Sequence, residues 1–491
     1  MGITVLGLIL LPLSLIWVAN PIRLLQLATI AAIFEAAAAL IVGGSFGLQP
    51  AMVPGLLFVA YVVAQYALGM RYPGERRVLW ALTPLFGLFA YALLSIFVLP
   101  QAFEGKVMVW PQRPDLIDPG FVPLTFTAGN ITQLLYLAMN VVIATCAALL
   151  VTRVAIPYRA VLKAYLIGGY LAVGLAFWQF AYRIAHVPFP SDIIQSNPGW
   201  AIVKQSIGPV PRIQGSFSEP AALAFYLSGL FFCCLWLNAK GHRIMRVNLL
   251  LGLAILGMLC STSTTGLITL AAGVPLVTVF AALRGDTAAV GRLMKTMAAI
   301  LVVGALVIGP VFILKPSLQN SIHEVYVATV SKGDSQSYEQ RSQLDAVAVA
   351  TVGQTDGLGV GWGSYRASSL IPGLLANAGV FGVTMILWLA WRIGVLVNEA
   401  KRRARGHPGE IILDGFIAAL CGQLAAACLS APTIGSLAFF LQLGCATGVA
   451  ARMAGEVRVA AARSARAAEA RPAEARAAVA RRPETQRGRF A

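Results

Sequence analysis

Charge is what this chain has least of. Only 12% of its 491 residues are Asp, Glu, Lys or Arg, where a soluble domain carries about a quarter. That scarcity excludes an ordinary water-exposed surface. Histidine numbers four: His186, His242, His323 and His407. The seven cysteines (Cys146, Cys233, Cys234, Cys260, Cys421, Cys428 and Cys445) all fall inside apolar runs. None stands at metal-ligand spacing from a histidine, so they read as buried small hydrophobes rather than ligands or disulfides. There is no Gly-x-x-x-x-Gly-Lys-Ser/Thr loop, hence no ATP hydrolysis through that motif. There is no Asp-x-Asp and no His-Glu-x-x-His. Those absences argue against metal-dependent use of a nucleotide sugar and against an intramembrane metalloprotease.

What the chain does have is hydrophobicity: 58% apolar residues and a mean hydropathy of +0.76. Many apolar runs exceed the roughly 18 residues needed to cross a bilayer. They predict an all-α polytopic membrane protein of about thirteen spans (about twelve to fourteen). The runs lie near 3–19, 23–43, 51–70, 78–100, 131–152, 163–182, 220–238, 247–263, 264–283, 296–315, 373–392, 411–430 and 435–453. The first, "MGITVLGLILLPLSLIWVAN", lacks a basic leader and a small-x-small cleavage site, and reads as a retained first helix.

The formal net charge is +17. Its carriers cluster in alternate short connectors: Arg71, Arg76 and Arg77; Arg153, Arg159 and Lys163; Lys240, Arg243 and Arg246; Arg284, Arg292 and Lys295; Arg392 and Lys401 to Arg405. The positive-inside rule makes these cytoplasmic, with an N-terminus outside and a C-terminus inside. No aromatic-interleaved basic domain accompanies them, so no nucleic-acid partner is expected. Residues 456–491 read as an Ala/Arg-rich, low-complexity cytoplasmic tail drawn to anionic lipid. Residues 1–455 form the membrane domain. Three opposite loops, about 101–130, 183–219 and 316–372, are long and compositionally mixed, which predicts folded structure on the outer face.

Those loops hold the polar features. "PRIQGSFSEP" sets Arg212, Gln214 and Glu219 directly against the apolar run that begins at Pro220. Proline suits a first helical turn. Ser218 is then a candidate N-cap, with Glu219 in the first turn favoured by the helix dipole. The other reading of Glu219 is a carboxylate at the mouth of a cavity. Arg212 offers a fixed positive fork matched to phosphate, or is a plain surface arginine. "YEQRSQLDAVAVA" predicts a short amphipathic helix ending near Gly353 and carrying Tyr338 and Arg341. "GLGVGWGSYRASSL" then supplies Gly357, Gly359, Gly361 and Gly363 at alternate positions, with Tyr365 and Arg366. Its bland reading is a turn; its functional reading is backbone that approaches an anion closely. With Arg183, this face gathers four arginines and suits an anionic substrate such as a lipid-linked diphosphate sugar. Glu35 falls mid-run in "AAIFEAAAAL", where a charge is costly and is either functional or neutralised within the bundle. Asp414 reads as a first-turn acid.

Three blocks resemble the O-antigen ligase and polymerase superfamily, the Wzy-like proteins of bacterial surface polysaccharide assembly. They are "RIQGSFSEPAALAFYLSGL", "LCSTSTTGLITLAAG" and "RSQLDAVAVATVGQTDGLGVGWGSYRASSLIPGLLANAGVFG", together covering most of 205–390. The first half is similar only in hydropathy. The resemblance implies a glycosyltransferase C-like membrane architecture in the bacterial inner membrane, with its active site facing the periplasm. It implies an inverting, metal-independent and cofactor-free transfer from a polyprenyl-diphosphate-linked oligosaccharide. Arg212 and Arg341 would hold the diphosphate, assisted by Arg183 and Arg366. Gln214, Tyr338, Gly359, Gly361 and Tyr365 would contact substrate. Ligases of the family tend to carry a histidine after the glycine run; "SYRASSLIPGLLANAG" has none. That favours a polymerase of repeat units, with Glu219 as base and His323 as second choice, in company with a chain-length regulator protein. The alternatives are a ligase acting on lipid A core or protein, a lipid-linked glycan flippase or other transporter, and a structural membrane subunit.

Overall fold

The computed structural model describes residues 2–43, 46–112, 120–198, 206–207, 210–314, 336–404, 406–430 and 435–480. Its helices are α1 (Val5–Ile16), α2 (Pro21–Ala31), α3 (Met52–Ala67), α4 (Glu75–Ala102), α5 (Ala128–Val151), α6 (Tyr158–Ala185), α7 (Ser191–Ile194) and α8 (Pro220–Ala239). They continue with α9 (Val247–Ser261), α10 (Thr264–Leu283), α11 (Thr287–Leu314), α12 (Gln336–Gln354), α13 (Leu370–Arg403), α14 (Gly409–Ser430) and α15 (Leu437–Ala480). Short antiparallel strands sit in the connections: β1 (Gly2–Ile3), β2 (Leu40–Val42) and β3 (Phe46–Leu48) in one sheet, then the pairs β4 (Met108–Val109) with β5 (Val122–Pro123) and β6 (Ser206–Ile207) with β7 (Val210–Pro211).

The chain is an all-α polytopic membrane protein. Each of the apolar runs holds one helix. Among the described residues nine helices are long and apolar enough to cross a bilayer, while α1, α2, α3 and α9 are shorter. The departure is clearest at 23–43. Asn20 caps α2 by accepting the Arg23 amide (3.3 Å), and Pro21 occupies the first turn. The following alanines are strong helix formers, yet the helix stops at Ala31. Tertiary hydrogen bonds take over: Ala36 N donates to Ser216 O (3.1 Å), Asn197 N to Ala36 O (3.0 Å) and Ala39 N to Leu48 O (2.7 Å). Glu35 therefore lies on irregular backbone between α2 and β2, not in the middle of a spanning helix.

Two helix pairs form the axis. Residues 437–454 of α15 are wholly buried, and α8 is nearly so. A Cβ added at Gly444 or Gly448 of α15 would stand 2.3 or 2.4 Å from the carbonyl oxygens of Ala144 or Ala148 on α5. One at Gly422 of α14 would stand 2.7 Å from Ser228 O on α8. Lipid supplies no hydrophobic drive between helices, so such close backbone approach, with the dispersion contacts it permits, is what associates them. Around the rim Leu94, Leu276, Leu301, Leu306 and Leu387 stand exposed, as lipid-facing side chains do. Cys146, Cys233, Cys234 and Cys445 are buried as expected; Cys421 and Cys428 are exposed, because α14 presents them on its uncovered side.

The basic connectors share the end of the bundle opposite to the described loop residues 186–198, 210–219 and 355–369. There the Arg452 guanidinium lies over the Tyr158 ring (3.9 Å to the centroid) and pairs with Glu456 (2.8 Å), which also meets His407 Nε2 (2.9 Å). The helix continues to Ala480, so the tail boundary expected at 456 falls inside α15. Asp414, expected in a first turn, is buried further along α14 and pairs with Lys401.

Replacing Gly444 with Val is expected to abolish folded, monodisperse protein in detergent, read by size-exclusion chromatography and thermal unfolding. Gly304→Val, on α11 where nothing lies within 4 Å of an added Cβ, is expected to fold normally.

Candidate functional site

The stretch 212–219 is irregular backbone carried into the bundle, with Ile213, Gln214, Ser216, Phe217 and Ser218 buried. Its polar groups find partners on three sides. The Gln179 side chain on α6 accepts the amides of Gln214 (2.8 Å) and Gly215 (2.9 Å) through Oε1. Gln195 Nε2 donates to Gly215 O (3.0 Å). Ser216 Oγ donates to Ile33 O (2.7 Å), while Ser216 O accepts Ala36 N (3.1 Å). Gly215 takes a φ of +60° and lies against α6 at Ala176, which favours glycine there. The loop is thus fixed between its two charged residues, Arg212 and Glu219.

Glu219 itself is the N-cap of α8, in extended conformation, and its side chain makes no capping hydrogen bond. The expected arrangement, Ser218 as cap and Glu219 in the first turn, is displaced by one residue. The Glu219 carboxylate instead acts electrostatically on Arg212 and on Glu35. Burial, with Glu219 nearby, pushes the pKa of Glu35 up to about 7.

Arg341 arrives from the other side. It lies on α12, within electrostatic reach of Arg212, and its Nη1 donates to Ser430 Oγ (3.0 Å) at the end of α14. Burial first, and then Arg341, hold the Arg212 pKa below its ordinary value, with Glu219 acting in the opposite sense. Two cations close together and partly desolvated are costly in isolation, and an anion relieves that cost. The position of α12 is set by Asp345. Its carboxylate accepts Ser368 N (2.7 Å), Ser369 N (3.2 Å), Ser368 Oγ (3.1 Å) and Ser369 Oγ (2.6 Å), just before α13 begins. Tyr365 adds a second tie through its hydroxyl to Leu344 O (2.7 Å).

The remaining sequence candidates divide. Tyr338 is exposed on α12, one turn before Arg341. Tyr365 is wholly buried in a small core with Val109, Val360 and Ala348, so its ring braces α12 rather than facing solvent. Gly359 and Gly361 have φ of +84° and +98°. An added Cβ at Gly359 would stand 2.7 Å from Ala376 O, and one at Gly361 3.0 Å from Ser95 O. The amides of Gly359, Val360 and Trp362 donate to Thr355 Oγ1, Ala376 O and Ser95 Oγ. The glycine run therefore packs its loop onto α4 and onto the break in α13 at Gly379. Gln214 is held by its backbone, with its side chain buried. Arg183 ends α6, and Arg366 donates its amide to Trp110 O (2.9 Å); both are partly exposed, and among the described residues neither side chain joins the Arg212 group. His323 lies outside the described residues.

Sequence reasoning missed Gln179, Ser216, Asp345 and Ser430. It also missed a neutral cleft at the same end of the bundle, lined by the amides Gln112, Gln133, Asn140 and Asn377 with Tyr136 and Trp362. Among the described residues Asn140 Oδ1 is buried there without a hydrogen-bond partner, while its Nδ2 donates to Gly435 O (3.0 Å). Among the described residues no three His, Cys, Asp or Glu side chains converge as a metal site requires. No protein-family model matches the chain, and no curated protein matches it with significant similarity.

Ser216→Ala removes the donor to Ile33 O and leaves that buried carbonyl short of a partner. Such a loss costs about 1–3 kcal/mol. A lower thermal midpoint than both the parent and the exposed-site control Ser342→Ala is expected.

Proposed function

We propose that the protein is an inner-membrane polymerase that joins polyprenyl-diphosphate-linked oligosaccharide repeat units on the periplasmic face. One observation carries this reading: Arg212 and Arg341, far apart in sequence, converge with Glu219 at one end of a membrane bundle. Each guanidinium keeps its charge and presents a planar fork to phosphate oxygens. The acceptor sugar hydroxyl attacks the donor's anomeric carbon. A new C–O bond forms there as the bond to the diphosphate breaks, its electron pair leaving on the phosphate oxygen. Arg212 and Arg341 stabilise that developing charge, the role an oxyanion hole plays elsewhere. The hydroxyl proton passes to Glu219. One displacement inverts the anomeric centre. The basic connectors at the opposite end agree with a cytoplasmic placement of that end. A chain-length regulator is the natural protein partner of such an enzyme.

A transporter of lipid-linked glycan is the second reading. Among the described residues Tyr226 and Gln423 are buried inside the bundle with side-chain atoms lacking hydrogen-bond partners, and polar groups at membrane depth are a transporter feature. Turnover of lipid-linked donor by purified protein in detergent, where no compartments exist, separates the two.

Arg212→Glu or Arg341→Glu is expected to abolish long surface polymer in cells and to accumulate single lipid-linked repeat units, with the protein at normal level in the membrane. Full-length polymer from either variant contradicts the proposal.

A further inference from the structure

At the end of the bundle that the basic connectors share, the turn between α3 and α4 and the outer part of α15 border a cavity of about 720 Å³. Arg71, Tyr72, Glu75, Arg76, Arg77 and Arg458 line it. None of them has a part in the function proposed above. The turn is tight. Met70 N closes α3 by donating to Gln65 O (2.9 Å), Gly69 takes a φ of +81°, and α4 begins at Glu75. Three arginines are thereby held on one short turn, and α15 brings the fourth. The turn is anchored by Tyr72, which is buried and donates its hydroxyl to Gln65 Oε1 (2.8 Å). The Arg153 guanidinium lies over the Tyr72 ring (4.3 Å to the centroid), and that of Arg71 over the Tyr66 ring (5.3 Å).

Guanidiniums outnumber carboxylates here. Glu75 lies within reach of the Tyr66 hydroxyl, and Glu399 pairs with Arg458. Glu456 on α15 is engaged by Arg452 and His407. Among the described residues the four arginines therefore keep two net positive charges, and Arg153 behind Tyr72 adds another. Other basic connectors differ. Lys240 pairs with Asp286 (3.2 Å), Arg292 Nε donates to Ala239 O (2.9 Å), and Lys401 pairs with Asp414. Among the described residues no ion pair reaches Arg71 or Arg76. Like charges gathered at one cavity repel, and a bound anion relieves that. The planar forks of arginine match phosphate oxygens.

The neighbours of the lining residues say where the phosphate comes from. Leu68 and Met70 just before Arg71, Leu79 and Trp80 just after Arg77, and Val459 beside Arg458 are all exposed apolar side chains. The Arg392 guanidinium lies over both the Trp80 and the Trp388 rings (4.3 and 4.6 Å to the centroids). Tryptophans paired with cations at a helix end mark the headgroup level of a bilayer. A basic pocket at that level, with apolar surface beside it, suits a lipid better than a freely dissolved anion. We propose that the cavity binds a phosphate group carried there by an anionic phospholipid. The arginines hold the headgroup, and the acyl chains lie along the exposed apolar side chains of α3 and α4. The bound lipid joins the α3–α4 turn to α15.

The test is native mass spectrometry of the purified full-length protein in detergent. It is titrated with phosphatidylglycerol, with zwitterionic phosphatidylcholine, and with glycerol phosphate as a phosphate without acyl chains. Wild type is expected to retain phosphatidylglycerol and to release phosphatidylcholine. Each cavity arginine removed is expected to weaken phosphatidylglycerol binding about fivefold, so Arg71→Gln combined with Arg76→Gln binds about 25-fold more weakly. Arg159→Gln combined with Arg243→Gln alters exposed basic residues outside the cavity and is expected to bind as wild type does. General attraction to a positive surface would weaken both double variants alike. Arg71 and Arg76 are exposed, so elution and thermal midpoint without lipid are expected to match wild type. Arg76→Gln alone is a milder variant, expected to lose about fivefold. Glycerol phosphate is expected to bind at least about tenfold more weakly than the lipid. Equal affinity for the two overturns the lipid source and assigns the cavity to a soluble phosphate compound. No retention of phosphatidylglycerol by wild type, equal losses in the two double variants, or no loss in the cavity variants overturns the site itself.

Discussion

Backbone that leaves helical geometry inside a membrane bundle must find its hydrogen bonds within the protein, because lipid offers none. Everything at the candidate site follows from how this chain meets that constraint. Three irregular stretches, 32–39, 195–197 and 212–219, meet inside the helices and satisfy one another. Ser216 is their hinge point, donating to one segment with its hydroxyl and accepting from it with its carbonyl. Gln179 completes the set by offering one amide oxygen to two consecutive backbone amides. These bonds tie the segments that carry Arg212, Glu219 and Glu35 to one another.

The electrostatics depend on that fixity. A guanidinium near a second guanidinium, and a carboxylate near a second carboxylate, are each unfavourable in low dielectric. Two cations and two ionised acids cancel; with one acid neutral a positive charge remains for a ligand to offset, so the net charge of the cluster is poised between those two states. Surface ion pairs offer no such poise, since solvent screens them. Asp345 illustrates the contrast. Its carboxylate is saturated by two amides and two hydroxyls, which is how a purely architectural acid is treated.

Much of this was legible in the sequence, and for a simple reason. Helix placement is dictated by hydrophobic length, so each apolar run holds a helix, and the segment around Arg341 reads correctly as helical. Arginines beside apolar runs are conspicuous because charge is rare here. What could not be read was set by partners distant in the chain. The stretch "AAIFEAAAAL" has every local reason to continue as helix, and only Ser216, Asn197 and Leu48 stop it. Gly359 and Gly361 looked like an anion cradle because the pattern does not reveal that Ala376 and Ser95 already occupy the space beside them. The Gly444 and Gly448 pair, small residues four apart, is a signal of close helix approach that many other small residues in the chain mask.

Irregular segments carry Arg212, Glu219 and Glu35 for a geometric reason, while Arg341 comes from helix α12. A helix aims its side chains radially, and its neighbours in a bundle crowd them to the interface. A loop folded back into the bundle can present side chains along the axis, toward the mouth, where a headgroup at the bilayer surface would sit. The usual penalty is mobility, which blurs a site by more than chemistry tolerates. Here the hydrogen bonds that the membrane environment demands also immobilise the loop. The same constraint that makes broken backbone expensive in lipid makes it rigid once satisfied, and rigidity is what lets charges be pre-aimed at a developing negative charge instead of reorganising around it.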